Sequence, residues 1–116
     1  SGSVQMATIE ILGQELSLMT AGPMFKFNEA VSFMVNCDSQ EEIDYYWSSL
    51  TADGGSEGPC GWLKDKYGLS WQITPSIMSQ MMKDGTKEQI KRVTEAFMKM
   101  KKFDIKTLED AYNHQN

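Results

Sequence analysis

The 116-residue sequence is poor in the residues that build metal centres, nucleophile–base pairs and disulfide frameworks. It has one histidine, His114, near the end of the chain, and two cysteines, Cys37 and Cys60. A histidine in a polar tail is expected to be solvated, so Cys60 has no base to activate it and a nucleophilic role is not expected. Both cysteines fall in strand-like runs and no leader-like segment opens the sequence. We therefore expect free thiols and a cytoplasmic location, although one bridge is conceivable.

Positive charge and long apolar runs are also scarce. Eleven Lys and Arg against sixteen Asp and Glu give a formal net charge of −5, and the one basic cluster, residues 99–102, is interrupted by Met100. Such a chain has no broad positive field, so nucleic acid is not an expected partner. No apolar run approaches the roughly 18 residues that span a bilayer. A chain of this length forms one domain with a core of its own.

A β-hairpin is the clearest feature that the sequence does contain. Alternating runs at 60–64 and 69–74 flank Asp65-Lys66-Tyr67-Gly68. Aspartate favours the start of a turn and glycine tolerates the left-handed residue of a type I turn with a bulge. The register places Leu63 beside Trp71 on an apolar face. The opposite, mixed face is predicted to carry Cys60, Trp62, Lys64, Ser70 and Gln72, with Trp62 beside Gln72 and Lys64 beside Ser70.

Periodicity predicts the remaining elements. Residues 4–12 and 15–20 alternate around Gly13-Gln14 and predict an opening hairpin, and 30–37 predicts a buried strand. Asp38 with Glu41 three residues later is typical of a capping box and predicts a helix over 39–52. A polar, Met-rich link is expected after Pro75. Two helices are predicted to follow it, over 86–101 and 104–112.

The second arm of the opening hairpin repeats the pattern of residues 68–73. Leu16 and Leu18 lie on one predicted face and Ser17 and Met19 on the other, as Trp71 and Ile73 do against Gln72 and Thr74. This echo is consistent with an internal repeat.

The run 61–73, with 25–28 and 35–38, closely resembles the PhnB-like branch of the glyoxalase/bleomycin-resistance/dioxygenase (vicinal oxygen chelate) superfamily. This branch is often labelled 3-demethylubiquinone-9 3-methyltransferase-like. The resemblance extends from about Val4 to Tyr112 and includes a Lys-Met-Lys-Lys-like turn and a Leu-Glu-x-Ala-Tyr-like end. It implies an α+β fold of paired β-α-β-β-β modules that enclose a cavity, with helices outside.

On this plan the chain is a single domain, 1–116. Residues 4–28 end the first module, 29–75 form the second module, and 76–116 are a C-terminal helical extension. The opening strand and helix of the first module would precede Val4. Either a longer chain carries them or a second copy supplies that wall, since strand exchange between dimer-related modules is common in the superfamily; a homodimer is expected. Only 54–58 is available for the strand between helix and hairpin.

The resemblance also bears on metal binding. Superfamily enzymes hold a divalent metal with His, Glu or Gln side chains from four strands. The resemblance places Gln72 where metal-dependent members carry a ligand Glu, Ser17 at the equivalent first-module position, and Met6 where relatives often have His. One glutamine does not make a metal site, so no metal and no cofactor are expected. The candidate cavity residues are Trp62, Gln72, Ser70, Cys60, Ser17 and Met6.

Three functions stay open at this stage. The first is binding of a small organic molecule, with Trp62 stacking on it and Gln72 orienting it. The second is a metal-dependent lyase, isomerase or dioxygenase whose other ligands precede Val4. The third is a structural or partner-binding module in which Trp62 and the methionines close the cavity. Methyl transfer is not expected, because glycines 54–58 follow a predicted helix rather than open one.

Overall fold

The computed structural model describes residues 6–20 and 25–114, and these form a mixed α+β fold with two sheets and four α-helices. The predicted fold class is confirmed. In chain order the elements are β1 (Met6–Ile11), β2 (Gln14–Met19), β3 (Ser32–Cys37), α1 (Gln40–Thr51), β4 (Ser56–Glu57), β5 (Trp62–Lys64), β6 (Ser70–Pro75), α2 (Ser76–Asp84), α3 (Lys87–Phe97) and α4 (Ile105–Asn113). None of the helices described has the length and apolar character needed to cross a membrane.

The larger sheet is a β-α-β-β-β unit with strand order β3-β6-β5-β4. Strand β3 runs parallel to β6, and the other pairs are antiparallel. A parallel pair needs a crossover, and α1 provides it. The predicted register is confirmed: Leu63 pairs with Trp71, and the mixed-face pairs Trp62–Gln72 and Lys64–Ser70 also form.

The turn between β5 and β6 also follows the prediction. The backbone N–H of Gly68 donates to the Asp65 carbonyl at 2.9 Å, and Gly68 has a φ of +88°. The Asp65 carboxylate accepts from the backbone N–H groups of Tyr67 and Leu69, and its second oxygen accepts from Trp71 Nε1 at 2.9 Å. One side chain thus fixes both the turn and the first core residue of β6.

The main core lies between this sheet and α1. Ile43 and Trp47 of the helix are buried against the apolar face of the sheet. Trp47 is also fixed at its polar end, because its Nε1 donates to Glu57 Oε2 at 2.9 Å. The sheet side of this core is formed by Val35, Cys37, Leu63, Trp71 and Ile73.

The N-cap of α1 is Ser39 rather than the predicted Asp38. Ser39 keeps an extended backbone (φ −145°), and its hydroxyl accepts from the backbone N–H of Glu42 at 3.2 Å. The Glu42 carboxylate in turn accepts from the Asp38 N–H at 3.2 Å. The capping signal was therefore displaced by one residue, since Asp and Ser are both good caps and stand side by side.

Three further boundaries differ from the predictions. The opening hairpin turns at Leu12-Gly13, where both residues have positive φ, and not at Gly13-Gln14. The Met-rich link is helix α2, because its apolar side chains face the C-terminal helices. Helix α3 ends at Phe97 and not near 101, because residues 98–100 form tighter turns. The predicted start of the first hairpin at Val4 lies outside the described residues.

The C-terminal helices form a second core that holds the start of β5. Its buried residues are Met81, Val93, Phe103 and Leu108. The backbone N–H groups of Cys60 and Gly61 donate to the carbonyls of Met100 and Lys101, both at 2.8 Å. A side chain at position 61 would meet the Phe103 ring at 2.4 Å, so this close approach requires glycine.

Gln40 joins the two cores. Its side-chain nitrogen donates to the Phe103 carbonyl at 3.0 Å, and its oxygen accepts from the Ile105 N–H at 2.8 Å. Lys102 adds an ion pair to Asp44 at 2.8 Å, and the hydrogen bond from Lys102 lowers the pKa of the Asp44 carboxyl. The C-terminal segment is therefore fixed to the β-α-β-β-β unit at two residues in the first turns of α1, Gln40 and Asp44.

Candidate functional site

The mixed face of the larger sheet lies on the side away from α1. Alternation along β3 and β6 brings Ser32, Asn36 and Gln72 to this face. Gln72 Nε2 donates to Ser32 Oγ at 2.8 Å, and Thr74 Oγ1 donates to Asn36 Oδ1 at 2.9 Å. Trp62 and Gln72 are half-buried here. The face therefore combines one aromatic wall with an ordered row of amides and hydroxyls.

A groove of about 460 Å³ opens at the β4–β5 side of this face. This volume is within the roughly 300–1,000 Å³ range of small-molecule sites. The groove is lined by Glu29, Ser56, Glu57, Gly58, Pro59, Trp62, Leu63, Lys64 and Ser70.

Ser70 is the most unusual group in the groove lining. It is 1% exposed, and its hydroxyl has no hydrogen-bond partner among the described residues. A buried polar group without a partner costs about 1–3 kcal/mol. The hydroxyl lies on the groove-facing side of β6, so an oxygen or nitrogen of a bound molecule would satisfy it.

Lys64 and Glu29 form an ion pair at the mouth of the groove. Both side chains are exposed, and the hydrogen bond from Lys64 lowers the pKa of the Glu29 carboxyl below its usual value. An exposed pair of this kind contributes little stability, because water screens the charges and both side chains lose freedom. The contact is thus easily exchanged for another one.

The structure brings together only part of the predicted site. Trp62 and Ser70 line the groove, and Gln72 lies beside Trp62 in the ladder. Sequence reasoning missed Glu29, which reaches Lys64 from the loop before β3. No local pattern marks this residue, because its role depends on a contact between distant segments.

Cys60 does not share the Trp62 face, contrary to the alternation. It has a φ of +54° and is followed by Gly61 at +81°, so the extended strand begins only at Trp62. Its side chain packs against the C-terminal core, with Sγ 3.9 Å from Met98 Sδ. Two successive left-handed residues broke the period-2 rule.

Ser17 and Met6 lie on the separate β1–β2 hairpin. The pairs Thr8–Ser17 and Met6–Met19 put both residues on the same side of that hairpin, and Met6 is 70% exposed. Neither residue lines the groove beside Trp62. Their predicted role in a cavity stays a prediction.

A second groove, apolar and of about 430 Å³, lies between the β1–β2 hairpin and the larger sheet. Apart from Asp65 and Tyr67 its walls are apolar or aromatic: Ile9, Ile11, Leu16, Leu18, Phe27, Phe33, Leu69 and Trp71. The Asp65 carboxylate in this groove is already occupied, because it accepts from the backbone N–H groups of Tyr67 and Leu69 and from Trp71 Nε1. The composition of the groove suits the packing of another apolar segment.

Metal-ligating side chains do not cluster in the part of the chain that is described. Within residues 6–20 and 25–114, no three His, Cys, Asp or Glu side chains come close enough to hold an ion. Gln72 is occupied with Ser32, and the buried thiol of Cys37 lies on the opposite, helix-facing side of the sheet.

Comparison with known proteins identifies the family of this chain and solved structures with a similar fold. The family model described as 3-demethylubiquinone-9 3-methyltransferase matches residues 1–74. A putative 3-demethylubiquinone-9 3-methyltransferase, PhnB protein, from Bacillus cereus is 34% identical with a TM-score of 0.54. The match covers 61% of this chain and 64% of that chain.

A second solved structure, protein PA1353 from Pseudomonas aeruginosa, is 20% identical with a TM-score of 0.50. That match covers 60% of this chain and 61% of the other, and it bears on the fold alone. The chain therefore spans less than two thirds of either structure. No curated protein matches it.

Proposed function

Because the chain belongs to the 3-demethylubiquinone-9 3-methyltransferase family, in its PhnB-like branch, we propose that it binds a small organic molecule on the mixed face without a conventional metal centre. The observation that carries the proposal is the buried, unpartnered hydroxyl of Ser70 beside the half-buried ring of Trp62 in one groove. An aromatic wall with a few placed polar groups is the usual composition of a ligand site.

Methyl transfer is not part of the proposal. A nucleotide-like methyl donor favours a glycine loop that leads from a strand into a helix N-terminus, where free N–H groups face the ligand. In this chain Gly54 and Gly55 follow helix α1 and lead into strand β4, which is the reverse order.

Isothermal titration with Zn²⁺, Mn²⁺ and Ni²⁺ tests the metal-free part of the proposal. We expect no stoichiometric binding at micromolar concentration. Stoichiometric micromolar binding that Gln72→Ala abolishes would overturn it and favour a metal-dependent lyase, isomerase or dioxygenase. Binding that persists in this variant would place the ion away from the mixed face.

Small-molecule binding itself is tested by screening a mixed set of neutral and charged fragments. The readout is the indole Nε1–H signal of Trp62 in a nitrogen-15 NMR spectrum, identified by its loss in Trp62→Phe. We expect several fragments to shift this signal and to leave unchanged the signal of buried Trp71, whose Nε1 donates to Asp65 outside the groove lining. A set that shifts neither signal contradicts the proposal.

We also propose that the chain has three parts: the end of a first module at 4–28, a second module at 29–75 and a helical extension at 76–116. We further propose that it is cytoplasmic and works as a homodimer. The support is the apolar groove beside the β1–β2 hairpin, which a second copy would cover. Light scattering at micromolar concentration tests it, and a monomeric mass would count against the dimer.

A further inference from the structure

The groove at Trp62 has a chemistry that narrows the class of its ligand. Lys64 pairs with Ser70 across β5 and β6, so their side chains leave the sheet about 5 Å apart on one face. Trp62 follows on the same face of β5, about 7 Å along the strand. An ammonium, a hydroxyl and a flat ring therefore face one volume.

The carboxylate of Glu29 occupies the space over the Lys64 ammonium. It lies in the groove lining and pairs with Lys64, although 61% of its side chain is exposed. It comes from the loop before β3 and not from the sheet. The contact shows that the space over Lys64 accepts a carboxylate, and its exposure makes the contact exchangeable.

The charge balance of the groove favours a single negative charge on the ligand. Among the described residues, its lining has one cation, Lys64, and two carboxylates, Glu29 and Glu57. The Glu57 carboxylate accepts from Trp47 Nε1 and Lys64 pairs with Glu29, so an anion that enters the groove would meet Lys64 as the cation of the described lining. A dianionic phosphate would bring excess negative charge beside Glu57, whereas a monoanion that replaces Glu29 keeps the balance.

The hydroxyl of Ser70 adds a second requirement. It is fully buried at the wall of the groove and has no partner among the described residues. A ligand with a hydroxyl or carbonyl next to its charged group would reach Ser70 and Lys64 together, because the two residues are paired neighbours.

We propose that the groove binds an aromatic monocarboxylate whose ring lies against Trp62, whose carboxylate replaces Glu29 on Lys64, and whose neighbouring polar group bonds to Ser70. This inference rests on the proposed function and specifies its ligand class. Glu29 acts as an internal competitor that covers Lys64 until such an anion arrives. Glu29 therefore lines the groove and also sets its specificity for anionic ligands.

The test compares salicylate with salicylamide, which has the same ring and hydroxyl without the negative charge. Binding is measured by calorimetry and by the Trp62 indole NMR signal. We expect salicylate to bind about tenfold more tightly, because the ion pair with Lys64 adds one charge-assisted contact. Glu29→Gln should tighten salicylate several-fold and leave salicylamide unchanged, and Lys64→Met should reduce salicylate to the level of salicylamide.

Matched substitutions separate the groove from general charge effects. Lys66→Met and Glu88→Gln change the same charges at exposed positions outside the groove lining, and should leave both affinities within twofold. Ser70→Ala should weaken salicylate about tenfold but leave benzoate, which lacks the hydroxyl, unchanged. Circular dichroism verifies that each variant is folded.

The outcomes distinguish this inference from the function on which it rests. Equal binding of salicylate and salicylamide, or no response to Glu29→Gln and Lys64→Met, overturns the aromatic monocarboxylate and leaves small-molecule binding intact. Absence of binding by both probes overturns it as well. The fragment screen at Trp62 then decides separately whether the groove binds small molecules of another class.

Discussion

The two hairpins of this chain share an alternating apolar pattern but have opposite surroundings. Residues 13–18 of the first correspond to 68–73 of the second, so Leu18 corresponds to Ile73. Ile73 is 0% exposed and Leu18 is 49% exposed. Strands β5 and β6 are bordered by β3 and β4 and covered by α1, whereas β1 and β2 form a sheet of two.

This difference shows that the local pattern makes a hairpin but does not bury it. A two-stranded hairpin alone is marginally stable in water, because its few apolar contacts barely offset the entropy lost when its backbone is ordered. The β5–β6 hairpin is stabilised by the neighbouring strands and by α1. The backbone hydrogen bonds of Cys60 and Gly61 to the carbonyls of residues 100 and 101 also hold it in place. The β1–β2 hairpin needs a cover, which the proposed second copy would supply.

The largest difference should come from truncating the corresponding core positions. Ile73→Ala should lower the free energy of unfolding by about 2–5 kcal/mol, since it leaves a cavity in a closed core. Leu18→Ala should cost less than about 0.5 kcal/mol in a monomer, because half of the side chain already contacts water. Urea denaturation measures both. A large loss for Leu18→Ala that depends on protein concentration would show that a second copy covers the hairpin.

Two glycines, one in each hairpin region, have nearly the same φ but different neighbours. Gly61 (+81°) faces the Phe103 ring at 2.4 Å from an added Cβ, whereas Gly13 (+80°) has nothing within 4 Å. Gly61→Ala should cost about 2–4 kcal/mol, from backbone strain plus overpacking, and Gly13→Ala about 1 kcal/mol from strain alone. Thermal denaturation of both variants checks this. Equal losses would mean that the Phe103 ring does not pack closely against the backbone at Gly61.

The buried thiol of Cys37 should make the free energy of unfolding depend on pH above pH 9. Burial, and then the nearby Glu42 and Asp38 carboxylates, raise the pKa of its thiol from 9.0 to about 11. The unfolded chain loses this proton first as the pH rises from 9 to 11, so the free energy of unfolding should fall by about 2–3 kcal/mol over that window.

The control for this effect is Cys37→Ala, which removes the thiol, beside Cys60→Ala, which leaves it in place. Denaturation at pH 8, 9, 10 and 11 should give a shallower slope only for Cys37→Ala. Identical slopes in all three proteins would contradict the assigned cause.

The turn of the second hairpin should depend on Asp65. Asp65→Ala loses three hydrogen bonds, from Tyr67, Leu69 and Trp71, and should cost about 2 kcal/mol. Asp65→Asn keeps an oxygen for the two backbone groups but not for Trp71, and should cost about 1 kcal/mol. Chemical denaturation separates the two variants, and an equal loss would show that the Trp71 contact carries the whole effect.

The smallest effect is expected at the turn of the first hairpin. Leu12 has a φ of +50°, which leucine tolerates poorly and asparagine tolerates well. Leu12→Asn creates the Asn-Gly pair preferred in two-residue hairpin turns and should stabilise β1–β2 by about 0.5 kcal/mol. Amide exchange along β1 measures it; faster exchange would contradict the assigned turn.

Local chemistry explains why much of the fold could be predicted. The register of β5–β6 follows from alternation plus the Asp65-to-Gly68 turn, and α1 follows from apolar spacing and a cap. Helix α2 was missed because Met and Ser residues give a weak apolar period. The cap at Ser39 was misplaced because two good caps are adjacent.

The site was less predictable because its contacts join distant segments. Trp62, Gln72 and Ser70 were placed on one face by alternation alone. Cys60 was misplaced because its left-handed backbone is stabilised by carbonyls at 100 and 101, far along the chain. Glu29 gave no signal of its own.

The sequence by itself determined the two hairpins, the helix that crosses between β3 and β6, and the division of β5–β6 into an apolar and a mixed face. These depend on contacts within a few residues, which a pattern records. Tertiary structure decided which hairpin is buried, which way Cys60 packs, and that Glu29 covers Lys64 beside the unpartnered hydroxyl of Ser70. These depend on which distant surfaces meet, and local sequence does not encode that.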